Sequence, residues 1–236
     1  MTRVEEYRTA LRELPNSEWR RYLTDHSNLP GPRGNIELAQ AFADEATPEV
    51  VEDVLATGHE YLTFAGVVAL GQQLAEHPSR NLEDRLRGYA SDERWRVREA
   101  VAMALQRVGD ADLPRLLTIV RAWARDPDPL VQRAAVAGIC EPRLLAGEEA
   151  VAAALEACGA ATERLAATPP EQRRDAHLRV LRQGLGYCWS VAVAADPARG
   201  LPLFTALTEE AEAEGDADLA WVVRENRRKK RLAQLL

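Results

Sequence analysis

The sequence predicts an all-α fold, an α-α superhelix of antiparallel helix pairs. Three observations predict it. The first is a phrase that recurs without a gap at a spacing of 34 residues: Asp92-Glu-Arg-Trp-Arg-Val97-Arg98-Glu-Ala100-Val-Ala102-Met-Ala-Leu105 and Asp126-Pro-Asp-Pro-Leu-Val131-Gln-Arg133-Ala134-Ala-Val136-Ala-Gly-Ile139. A period of this length marks stacked supersecondary units. The second is a fainter copy 35 residues upstream, over 57–70, where Leu62 replaces Val97, Ala65 matches Ala100 and Leu70 matches Leu105. The third is composition: alternating β-branched runs are absent, and Ala, Leu, Glu and Arg dominate, the residues that favour helix.

The elements follow in order. Residues 2–24 read as two short helices broken at Pro15-Asn16-Ser17, and 25–35 carry the strongest loop signal in the chain, Leu29-Pro30-Gly31-Pro32 with Gly34-Asn35. This loop separates an N-terminal cap, residues 1–34, from a repeat body over 35–236, the two forming one continuous domain. Helices resume at 36–44 and after Pro48. Pairs come next: 61–76 with 82–89, then 94–108 with 113–125. Pro114 sits near a helix start, where its missing donor does no harm. The segment 129–140 pairs with a longer helix over 148–167, which Pro169-Pro170 ends. Another helix starts near Glu171 and bends at Gly184 and Gly186. Asp196-Pro197 opens the next, Gly215-Asp216 stops it, and a last segment carries Trp221 to Leu236.

The phrase has a physical reason. Ser or Asp before an apolar run caps a helix N-terminus, and Ser91-Asp92 and Asp126-Pro127 both fit, with Pro127 at the first helical position. Val97, Ala100, Val101, Ala104 and Leu105 then make one apolar helical stripe. The small alanines on it let a neighbouring helix approach closely. Weaker copies open at Asp175 and Asp218, with the spacing stretched to roughly 49 and 43 residues. The phrase Asp-x-x-x-x-Val-Arg-x-x-Ala, paired with a second helix, resembles the HEAT repeat, well over residues 57–145 and loosely over 170–236. That resemblance implies helix pairs stacked into a right-handed HEAT-like solenoid with a concave face. It makes the Asp and Arg of each copy helix caps and inter-repeat bonds.

Composition bounds the function. Apolar residues are 46% of the chain, too many for disorder. No apolar stretch reaches membrane-spanning length, and Met1-Thr-Arg-Val-Glu-Glu does not read as a signal peptide. Cys140, Cys158 and Cys188 are odd in number and set in apolar helical context. They read as reduced core thiols, and the expected location is cytoplasmic. Scattered histidines without a Cys-x-x-Cys give no metal site, and no cofactor is implied.

Net charge is −7, which disfavours nucleic-acid binding over the whole surface. The basic residues are nevertheless concentrated. Residues 80–143 hold 12 arginines against 10 acids, and 221–236 hold six basic residues and one acid. Arg94, Trp95, Arg96 and Arg98 form the densest polar-aromatic cluster, and Arg133 of the next copy joins them as a candidate binding residue. Arg224, Arg228, Lys229 and Lys230 lead the basic tail. Two readings stand for the first cluster: phosphate contact with Trp95 stacking, or packing between repeats with the arginines paired to Asp92, Glu93, Glu99 or Asp128. The tail likewise reads either as a phosphate-binding segment or as a terminal helix with Leu232, Leu235 and Leu236 turned inward.

More distantly, the repeats, arginines and tryptophans resemble the HEAT-like DNA-alkylation-repair glycosylases. That likeness implies a cationic DNA groove with aromatic residues and a catalytic carboxylate. The chain lacks their Trp-x-x-x-Asp constellation, so no catalytic residue is assigned. Gly-rich phosphate loops, Gly-x-Ser-x-Gly and nucleophile-base sets are also missing. The sequence therefore points to a non-enzymatic scaffold that binds a protein partner and no membrane, with DNA binding or base excision as the alternative.

Overall fold

A computed structural model describes residues 1–236. It is all-helical and contains no strand, which is the α-α superhelix class expected. The chain forms two compact units, residues 1–111 and 112–236. In both, helices pack on their near neighbours in sequence. No helix is long and apolar enough to cross a membrane.

The first unit holds α1 (Arg3–Glu13), α2 (Asn16–Asp25), α3 (Ile36–Glu45), α4 (Pro48–Leu55), α5 (Glu60–Glu76), α6 (Arg80–Tyr89) and α7 (Trp95–Ala111). α1, α3, α5 and α7 pack in that order, while α2, α4 and α6 also touch α5 or its neighbours. Twelve of the seventeen residues of α5 are buried, so this helix is enclosed on all sides and is apolar nearly all round. Two glycines let it sit so deep. A Cβ on Gly71 would lie 2.4 Å from the Ala104 Cα of α7, and one on Gly66 would lie 2.6 Å from the Leu55 side chain of α4. Ala104 belongs to the alanine stripe of the repeat phrase, so the small residues bring α5 and α7 to backbone contact.

The N-terminal segment is tied to this core. The Trp19 indole donates to the Leu11 and Leu14 carbonyls at 3.0 and 3.2 Å. Glu45 at the end of α3 accepts from Arg8 and Arg12 of α1 at 2.6–2.7 Å. Asn35 knots the loop: it caps α3 through Leu38 N–H, and its amide donates to the Tyr7 hydroxyl and the His26 carbonyl. The buried Tyr61 hydroxyl donates to the Asn35 carbonyl at 2.7 Å, and burial pushes the phenol pKa up. Loop 26–35 is thereby fixed against α5.

The second unit holds α8 (Leu113–Trp123), α9 (Pro129–Ile139), α10 (Glu148–Ala166), α11 (Ala176–Ala195), α12 (Pro197–Ala213), α13 (Ala217–Arg227) and α14 (Lys230–Ala233), with short 3₁₀ turns at Pro142–Leu144 and Gln172–Arg174. α11 packs between α9 and α13, with α10 and α12 against it. Asn226, fully buried, reaches the α11 backbone from α13: it accepts from Ser190 N–H and donates to the Leu185 carbonyl, each at 2.8 Å. Cys140, Cys158 and Cys188 are buried and in no disulfide. The Cys140 and Cys158 sulfurs lie 3.8 Å apart.

Four local expectations are corrected. Asp128, not Asp126, caps α9, and Pro129, not Pro127, takes the first turn; Asp126 instead accepts from Asp128 N–H. The helix expected from Glu171 begins at Ala176, because Asp175 supplies the cap. α11 runs unbroken past Gly184 and Gly186; those glycines admit neighbouring side chains instead. The last segment begins at Ala217 and breaks at Arg228-Lys229 before α14. Of its leucines, Leu232 is buried and Leu235 and Leu236 are exposed.

Two glycine substitutions should move stability in opposite directions. Gly71→Ala forces α5 off the Ala104 backbone and should cost about 1–3 kcal/mol. Gly159→Ala, in mid α10 with nothing within 4 Å of the added methyl, should add about 0.5–1 kcal/mol. Urea midpoints of the two variants read both.

Candidate functional site

The start of α7 places the first predicted cluster. The Asp92 carboxylate accepts from Arg94 N–H and Nε at 2.8 Å and from Nη2 at 2.7 Å. Arg94 Nη1 then reaches back to the Gly58 carbonyl at 2.8 Å and the Thr63 hydroxyl at 3.3 Å. The hydrogen bonds from Arg94 hold the Asp92 carboxyl below its ordinary range, although partial burial works against them. Arg96 donates to the Gly31 carbonyl at 3.0 Å and pairs with Glu60 at 3.2 Å. Arg98 donates to the Asp92 and Glu93 carbonyls at 2.6 and 2.9 Å. All three guanidinium groups are therefore engaged by the chain itself. Trp95 is not enclosed: it is 49% exposed, with the Arg96 guanidinium stacked 4.6 Å from its ring centroid.

The remaining predicted residues lie in the second unit, around α11. Gly184 and Gly186 leave two gaps on that helix. The Arg133 side chain of α9 crosses the first, 3.2 Å from where a Cβ on Gly184 would stand. The Trp221 ring and Glu225 of α13 cross the second, at 2.7 and 3.3 Å from a Cβ on Gly186. Arg182 stacks on Trp221 at 4.7 Å and pairs with Asp218. Beside Gly186, Tyr187 is 43% exposed. Its ring has Lys229 at 5.9 Å and Arg231 at 5.1 Å, and its hydroxyl accepts from Arg231 at 3.1 Å. Arg224 and Arg228 share Glu225 at 3.9 and 2.7 Å. Lys230 is exposed at the start of α14. Arg224, Arg227 and Arg228 also line a groove of about 340 Å³ between α12 and α13, floored by Ala211, Ala220 and Val223.

Residues 67–140 match the family model for HEAT repeats. These residues are HEAT repeats. No curated protein and no solved structure matches the chain.

The HEAT phrase explains the polar contacts. Arg94 of the copy at 92–105 bonds to Gly58 and Thr63 of the copy at 57–70, an inter-repeat bond made by the arginine before Trp95. The same device recurs where the spacing is looser. Asp218 of the last copy takes Arg182 of the copy before it. Below that pair, Arg173 donates to Asp216 at 2.7 Å and to the Thr168 and Ala166 carbonyls, with both charged side chains under a tenth exposed. Sequence reading missed Tyr187, Arg182 and Trp221 as surface groups. The signal was present: Arg179, Gln183 and Tyr187 recur at four-residue steps, a solvent stripe along a helix otherwise apolar.

Burial raises the Asp216 pKa, but the Arg173 hydrogen bond and the Leu219 and Asp218 amides outweigh it, and the net shift is downward. A carboxyl held low when folded contributes stability above its unfolded pKa of about 3.9 and loses it as pH falls through the folded value. The second unit should therefore weaken below about pH 4. Asp216→Asn should cost about 1–3 kcal/mol at neutral pH by taking the nearer carboxylate from buried Arg173 and leaving it only Asp218 at 3.6 Å, and should flatten that acid dependence. Denaturant midpoints at neutral and acidic pH measure both effects.

Proposed function

We propose that the chain is a HEAT-repeat scaffold that binds a protein partner without turnover, with Trp95 as an anchor. The observation that carries this is the half-exposed Trp95 ring on a rigid mount. Arg96 stacks on its face, and Arg94, Arg96 and Arg98 fix the first turn of α7 to the loops before it. Tryptophan and arginine are the side chains most often dominant in protein interfaces, and a group already held in place loses little freedom on binding. A DNA backbone would have to take these guanidinium groups from Asp92, Glu60 and the carbonyls that hold them, so the protein reading is favoured over DNA. In the same reading residues 1–34 cap the first unit, fixed to it through Asn35 and Tyr61, and the repeats run from residue 35. Three cysteines outside any disulfide suit a reducing compartment, which supports a cytoplasmic site of action.

A photoreactive phenylalanine analogue at position 95, introduced in the source cell, tests the proposal against the same analogue at the exposed Arg80. One protein species should be captured from position 95 and not from position 80. Trp95→Ala should weaken binding of the captured species about tenfold, equivalent to about 1.4 kcal/mol, with no change in thermal midpoint. Capture identical at both positions, salt-sensitive duplex-DNA binding that Trp95→Ala abolishes, or excision of an alkylated base would overturn the reading.

A further inference from the structure

We infer that the second unit carries a separate docking surface for an acidic peptide segment, centred on Tyr187 between α11, α13 and α14. The surface exists because α11 has no side chain at Gly184 and Gly186. Arg133 leans across one gap and Trp221 across the other, so neighbouring helices supply what α11 omits. Gly186 adjoins Tyr187, and Tyr187 is bracketed by Lys229 and Arg231. Two sets of contacts flank the glycines: Arg182 on Trp221, and Tyr187 with Lys229 and Arg231. Around the ring, Arg228, Lys229 and Arg231 stand against one carboxylate, Glu225, which Arg224 shares. A chain of net charge −7 thus presents a local excess of positive charge around one exposed ring.

The chemistry selects the occupant. Asp218 already engages Arg182, and Glu225 already engages Arg228. Lys229 and Arg231 have only the Tyr187 ring and hydroxyl as partners, so they retain donors for incoming carboxylates. The Tyr187 ring is held by the same two cations and can take an apolar side chain on its exposed part. Spaced carboxylates with an apolar residue between them satisfy all three groups. A single-stranded nucleic acid fits less well: successive bases need several open rings, whereas the face of Trp221 is occupied by Arg182. The overall negative charge also repels a long polyanion.

The full-length protein, immobilised, is used to select from a displayed library of random peptides at low ionic strength, with oligothymidine as the competing probe. Selected peptides should be enriched in Asp and Glu around an apolar residue. Their affinity should fall about tenfold in Tyr187→Ala and further in Lys229→Glu/Arg231→Glu, and should weaken as salt is raised. Each variant is compared with the parent by thermal midpoint, so that loss of fold is separated from loss of binding. Trp95→Ala, in the other unit, should leave these peptides bound; a loss there would place them at the Trp95 anchor and overturn the inference while leaving the proposed function standing. Selection without acidic enrichment, acidic peptides held equally by the charge-reversed protein, or oligothymidine bound more tightly than any peptide would each overturn it.

Discussion

The backbone contact between α5 and α7 is the constraint on which the first unit rests. Gly71 has no room for a methyl group because the Ala104 backbone occupies that space. Helices separated by ordinary side chains stand about 8–10 Å apart; a glycine against an alanine permits a closer approach. Once α5 is drawn in, it can be enclosed by α3, α4, α6 and α7 together, which explains why its sequence shows no polar face. The repeat phrase is thus a spacing device before it is anything else.

Polar groups then fix register. In a layered helical protein, apolar stripes alone allow neighbouring helices to slide by a turn. Arg94 prevents this by gripping Asp92 in its own copy and Gly58 and Thr63 in the one before. Asn226 does the same between α13 and α11, through backbone groups rather than charge. Each of these contacts has a defined angle and partner, and each is lost on a shift of one turn.

The sequence made helix content, most helix limits and the central repeats legible, because these are set by local spacing and by caps such as Asn35 and Asp112. The shift from Asp126 to Asp128 was not legible, since two acids at a two-residue spacing offer the same cap and only geometry chooses. The arginine-tryptophan cluster at 94–98 was found and the pairing of its arginines within the chain was one of two readings, but neither reading paired engaged cations with a ring that stays open. That division depends on Gly31, Gly58 and Glu60, which are distant in sequence. Gly184 and Gly186 were read as a bend for the same reason: what fills the space beside a glycine lies in another helix.

Those two glycines have a consequence for how the surface over α11 can change. Its shape is encoded off the helix that carries it, at Arg133 in α9 and at Trp221 and Glu225 in α13. Substitutions in the flanking helices can alter the character of that surface while the α11 backbone and its Asn226 anchor stay fixed. The central helix acts as a mould, and its neighbours are the replaceable inserts.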